Sequence, residues 1–137
     1  MSAEKSQLVR SWLLKAAEDL AAARKLAADP DPLLGSAIYH CQQAAEKAVK
    51  GFLVYHDEAF EKTHDIESLI TLAVRHERAF ELWRATGDGL TRYATIHRYP
   101  AVIEPPEREE FEEAFKAAEG IYAFALSRLP TETHPSL

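Results

Sequence analysis

The sequence predicts an all-α protein, an up-and-down antiparallel bundle of four to five helices. Three observations predict it. Apolar residues recur at spacings of three and four along several long segments, which is the period of a helix with one buried face. No segment alternates with the two-residue period of a strand, and glycine is scarce, at 5 of 137 residues. Prolines and the remaining breakers fall between the periodic segments, leaving short connections of the kind that join antiparallel neighbours.

The first segment runs from about Ala3 to Ala28. Leu8, Trp12, Ala16, Leu20, Ala23 and Ala27 form its stripe, and Pro30 and Pro32 stop it. The second runs from about Leu33 to His56, with Leu34, Ile38, Cys41, Ala45, Ala48, Phe52 and Tyr55 on the apolar side. Its small residues suit close packing by a neighbour. Gln43, Glu46, Lys47 and Lys50 occupy another face. The third starts near Asp65, with Asp65 or Thr63 as N-cap, and buries Ile66, Leu69, Ile70 and Ala73 before ending near Arg78. The stretch from Phe80 to His97 is helical with a break or kink expected at Gly87-Asp88-Gly89, where each interior glycine costs about 1 kcal/mol. The last helix spans about Glu107 to Arg128. Phe111, Ala114, Phe115, Ala118, Ile121, Tyr122 and Ala125 line it, and Glu107, Glu109 and Glu110 complement the dipole of its first turn. Residues 1–130 thus make one domain, and residues 131–137 are expected to be a short frayed tail.

Apolar residues make up 47% and charged residues 28% of the chain, enough to build one core at this length. The formal net charge of −6 repels nucleic acid and anionic membrane as a whole-molecule field, so RNA binding would need a local basic patch. Cys41 stands alone, which rules out an intramolecular disulfide and points to a reducing compartment. The first ten residues lack the apolar core of a signal peptide, and no stretch approaches the roughly 20 apolar residues of a membrane span. The expected location is the cytoplasm, without membrane attachment.

Six scattered histidines form no His-x3-His pair and there is no Cys-x2-Cys, so no metal site is expected. No glycine-rich phosphate loop is present, and no cofactor is expected.

The string Ala37-Ile38-Tyr39-His40-Cys41-Gln42-Gln43-Ala44-Ala45-Glu46-Lys47-Ala48-Val49-Lys50-Gly51-Phe52-Leu53 resembles the signature helix of HEPN domains. Thr63-His64-Asp65-Ile66 is similar to the entry of their third helix, and Arg98-Tyr99-Pro100 to the family's Arg-Tyr-Pro. The resemblance covers about residues 3 to 129. It implies a helical bundle, commonly a homodimer. It also implies a partner, because many such proteins are encoded beside a minimal nucleotidyltransferase (MNT), some pairs acting as toxin and antitoxin. Active HEPN toxins are described as metal-independent RNases with Arg, four to six residues, His, and often one residue more and Tyr. Here Arg92, His97 and Tyr99 have that spacing, with Tyr93 where those toxins often carry Asn.

The first functional expectation is therefore a dimeric interaction module for an MNT-type nucleotidyltransferase, a role that extends to the toxin of a toxin–antitoxin pair. The alternative is a metal-independent ribonuclease acting on RNA. His97 would move the proton, Arg92 would stabilise charge on the phosphate, and Tyr99 would position or stack on substrate. Gln43 and Lys47 are candidate substrate-binding residues. A third alternative is a nucleotide-binding bundle without catalysis. On an ideal helix Arg92 and His97 lie about 140° apart, so only a distorted helix end or a dimer would bring them together.

Overall fold

The computed structural model describes residues 2–97, 100 and 104–136. Among these are five α-helices and no strand: α1 (Ala3–Leu26), α2 (Leu34–Tyr55), α3 (Ile66–Val74), α4 (Arg84–Thr91) and α5 (Arg108–Ser127). Short 3-10 segments lie at Arg78–Trp83, Arg92–Ala94 and Thr131–Thr133.

Helix α2 is the hub, packed against α1, α3, α4 and α5, and this explains why nearly every residue from Ala44 to Leu53 is buried. Its pairing with α1 is antiparallel. Lys5 meets Asp57, a β-carbon built on Gly51 would touch Trp12, Asp19 meets Lys47, and the Leu33 N–H bonds the Leu26 carbonyl. Alanines at 16, 23, 44, 45 and 48 are fully buried and keep the helices close.

The start of α1 is capped by Ser2, whose Oγ accepts from the Lys5 N–H at 3.1 Å, and Asp65 caps α3 through the Ser68 N–H. The inward stripe of α1 differs from the expectation in its first half. Val9 and Leu13 are fully buried there, whereas Leu8 is 52% exposed and Trp12 half-buried. Both stripes fit a 3.6-residue period, and the packing of α1 against α2 buries the second of them. From Ala16 onward the expected and observed stripes coincide.

The region from Phe80 to His97 also differs. Helix α4 runs straight through Gly87 and Gly89, and the break comes after Thr91. Gly87 is where α4 crosses α3: an added β-carbon would lie 2.7 Å from both Ile66 Cγ2 and Ile70 Cδ1. Gly89 faces open space. Alanine should therefore have opposite effects at these two positions, which lie on different faces of one helix. Gly87→Ala should destabilise by about 1–3 kcal/mol through overpacking, and Gly89→Ala should stabilise by about 0.5–1 kcal/mol through helix propensity. Urea denaturation of the two variants checks both signs.

Of the tail expected to fray, Glu132 to His134 are docked on the bundle. Thr133 is fully buried, the Arg10 guanidinium donates to the Glu132 carbonyl, and His134 Nε2 lies 2.9 Å and 3.1 Å from the Leu126 and Leu129 carbonyls. Carbonyls at the end of a helix lack intrahelical partners, so His134 serves as the C-terminal cap of α5.

At the far end of α2, the His56 ring stacks on His76 with centroids 4.7 Å apart, and His76 Nε2 sits 2.8 Å from Glu58. Burial, followed by the neighbouring His76 and Lys5, holds the His56 imidazole below its ordinary pKa despite Asp57 and Glu77. The folded state therefore favours neutral His56. Its contribution to stability is complete above the unfolded pKa of about 6.5 and is lost as pH falls below it. Melting temperatures at pH values of about 7.5 and about 5.5, on either side of that pKa, should show a larger acid loss in wild type than in His56→Gln, and equal losses would contradict this.

Candidate functional site

The end of α4 is built by Thr91. Its hydroxyl accepts from the Ile66 N–H at 3.1 Å and donates to the Gly87 carbonyl at 3.2 Å, which ties it to the start of α3. Beyond it the backbone tightens into a 3-10 turn, and the N–H groups of Thr95 and Ile96 both point to the Arg92 carbonyl at 3.3 Å and 3.1 Å. Thr95 leaves helical geometry at φ −132°. This distorted end places residues that an ideal helix would separate around one ring.

That ring is Tyr93. The Arg92 guanidinium carbon lies 5.2 Å from its centroid, and the His97 imidazole is nearly parallel to it (14°) with centroids 6.1 Å apart. The Tyr93 hydroxyl donates to the Glu110 carboxylate, and Arg92 Nη2 is 3.8 Å from the same carboxylate. Burial first, and then the Glu110 carboxylate, push the Tyr93 phenol up to about 12. Arg92 is 58% exposed at its side chain, as a phosphate-binding group needs. His97 is half-buried against the start of α2, where a β-carbon on Gly35 would come within 3.3 Å of His97 Cβ. Among the described residues its Nε2 is buried without a hydrogen-bond partner. Tyr99 lies outside the described residues.

Gln43 and Lys47 belong to other networks. Gln43 Nε2 donates to Gln42 Oε1 at 2.7 Å, and Gln42 Nε2 donates to Glu46 Oε1 and to the His64 carbonyl, both at 3.1 Å. Glu46 also holds Lys50 Nζ at 2.8 Å and His64 Nδ1 at 2.8 Å. The Lys50 ammonium stands 5.9 Å and 5.7 Å from the centroids of Trp12 and Phe60. Burial pushes the Glu46 carboxyl up, but the hydrogen bonds from Lys50, His64 and Gln42 outweigh it and hold it below the ordinary carboxylate value. Lys47 Nζ bonds Asp19 Oδ2 at 2.7 Å, and His40 Nδ1 approaches Oδ1 of the same residue at 2.8 Å. From Gly35, beside His97, the helix rises about 12 Å to Gln43 and about 18 Å to Lys47. Among the described residues neither contacts Arg92 or His97.

Sequence reasoning misses Glu110 and His64. Glu110 reads as a dipole-balancing residue of a helix start, and only the packing of α5 on the 3-10 turn brings it to Tyr93. His64 reads as part of a capping turn. Cys41 is fully buried with its thiol pushed up to about 12 by burial, so it is unreactive. No group of three or more His, Cys, Asp or Glu side chains that could hold a metal occurs among the described residues, and no helix there is long and apolar enough to cross a membrane.

The described residues form a strand-free bundle of five α-helices, the fold class of HEPN-type proteins. Residues 9–129 match the HEPN domain family, and the chain belongs to it. It is similar to the crystal structure of TT1696 from Thermus thermophilus, with 30% identity and a TM-score of 0.76 over 90% of this chain and 99% of that one. It is also similar to ST0689, an archaeal HEPN homologue, with 27% identity and a TM-score of 0.69 over 88% and 96% of the two chains. No curated protein matches it.

Proposed function

We propose that this HEPN protein cleaves RNA without a metal, using Arg92 and His97. The observation that carries this reading is the convergence of both side chains on the Tyr93 ring. RNA supplies its own nucleophile, the 2′-hydroxyl. His97 takes or returns the proton, since the charge of a histidine changes near neutral pH. Arg92 stabilises negative charge growing on the phosphate. Tyr99, two residues on, is assigned to substrate positioning. Lys47, bonded to Asp19, ties α2 to α1, and Gln43 is bonded within α2, so neither is assigned to this site.

A second reading is an interaction module that self-associates and meets an MNT-type nucleotidyltransferase, with the pair working as toxin and antitoxin. The buried Nε2 of His97 favours it, because that nitrogen is closed to a substrate as the site stands. Expressing the chain alone separates the two. Growth arrest that disappears with His97→Ala supports the ribonuclease, whereas arrest that persists in folded His97→Ala, or growth unaffected by either protein, supports the module. Sedimentation of the pure chain tests the expected dimer, and a strict monomer at high micromolar concentration would contradict it.

A further inference from the structure

Glu110 has the only carboxylate that reaches two members of the Arg92–His97 cluster among the described residues. It receives the Tyr93 hydroxyl and pairs with Arg92, while Glu109 beside it is exposed and makes neither contact. Tyr93 itself is 7% exposed, so its ring is fixed by packing on one side and by this hydrogen bond at its tip. His97 is confined between that ring and Gly35, where the helix surface lacks a side chain. The chain of contact thus runs from the first turn of α5 through Tyr93 to the imidazole. The first turn of a helix is also where a carboxylate is stabilised in its charged form.

We propose that Glu110 is a positioning residue of this site: its carboxylate anchors the Tyr93 hydroxyl and restrains Arg92, and the anchored Tyr93 ring sets the plane of the His97 imidazole. The inference rests on the ribonuclease reading for its catalytic consequence, but its geometric content stands apart from activity. A proton-transfer group loses about a hundredfold in rate for a misplacement on the order of 1 Å, so its orientation must be held by neighbours that do not themselves react. Arg92, exposed and loosely paired at 3.8 Å, can leave Glu110 for a phosphate while Tyr93 stays anchored. Glu113, one turn further along α5, adds negative charge near Tyr93 and accounts in part for the raised phenol.

The test uses the full chain in three forms: wild type, Glu110→Gln and Tyr93→Phe. The first readout is the His97 imidazole in NMR spectra, assigned by its loss in His97→Ala and followed through a pH titration. Both variants should move the His97 resonances, and combining them should add little, because they cut one chain of contacts. Spectrophotometric titration of the tyrosines should show the Tyr93 phenol raised in wild type and less raised in Glu110→Gln, where burial still acts but the Glu110 charge is gone. The second readout is RNA cleavage, which should drop about tenfold to a hundredfold in Glu110→Gln with a shifted pH–rate profile and an unchanged circular dichroism spectrum. If Glu110→Gln fails to fold, Tyr93→Phe, which keeps the ring, carries the same NMR comparison. His97 signals unmoved in Tyr93→Phe, or cleavage undiminished in folded Glu110→Gln, would overturn the proposal. A wild-type protein without cleavage would defeat the ribonuclease reading alone, and the NMR comparison would still decide the positioning role.

Discussion

His97→Ala and Arg92→Ala are each expected to lower RNA cleavage about a hundredfold or more while leaving the helical fold intact. A positioned acid or base contributes roughly 10²–10⁴-fold, and one charge-stabilising donor contributes on the order of 10²–10³-fold. Neither residue is a core element: Arg92 projects into solvent and His97 is half-buried at a helix junction. The double variant should be little worse than either single one, because groups that act on one transition state fail together. Initial rates on a labelled RNA, compared with circular dichroism of the same samples, check this. Full activity in folded His97→Ala would remove it from the chemistry.

Glu46→Ala is expected to destabilise the protein by about 3–5 kcal/mol, the usual cost of leaving a buried charge without its partner. Lys50 is buried almost as deeply as Glu46, and Glu46 is its hydrogen-bonding partner; the two rings beside it offer only their faces. Gln42 and His64 lose an acceptor as well. Adding Lys50→Met to Glu46→Ala should recover much of the loss, since an apolar side chain at 50 requires no partner. Urea denaturation of the single and double variants measures it. A loss below about 1 kcal/mol for Glu46→Ala, the range of an exposed pair, would mean that water reaches Lys50. For the same network, stability held by ionised Glu46 is present above its unfolded pKa and declines as pH falls toward its lowered folded value.

The long helices are legible in the sequence because their signals are local and redundant. α1, α2 and α5 fall within about two residues of the expected bounds, each carrying several turns of periodic apolar residues. The departures come where the deciding contact is remote. The Leu8–Trp12 and Val9–Leu13 stripes are one residue apart, and the packing of α1 on α2, which the sequence of α1 does not carry, buries the second. The glycines of α4 read as a break. In the fold Gly87 serves a helix crossing, so tertiary packing offsets its low propensity, and Thr91 ends the helix instead. The tail reads as frayed because nothing in residues 131–137 signals that His134 caps α5.

The candidate site is legible as a spacing but not as a geometry. Five residues of ideal helix would hold Arg92 and His97 apart, and the 3-10 turn at Arg92–Ala94 departs from that geometry, leaving each side chain beside the Tyr93 ring. Tyr93 stands out in the sequence only as an unusual residue within the motif, whereas the fold makes its ring the common contact of both candidates. Gln43 and Lys47 fall in with the site on sequence grounds because polar residues on a helix face carry no mark of what they will meet. Their partners, Gln42 and Asp19, are not apparent from the spacing on α2.

The most direct test of the central claim is cleavage of one RNA oligonucleotide by the purified wild-type protein in EDTA, beside the same oligonucleotide carrying a 2′-deoxy sugar at the cleaved position. The all-RNA strand should be cut to fragments ending in a 2′,3′-cyclic phosphate and a 5′-hydroxyl, and the deoxy substitution should block the cut, because the attacking oxygen is gone. Cleavage that needs a divalent ion, or that proceeds at the deoxy position, would contradict it.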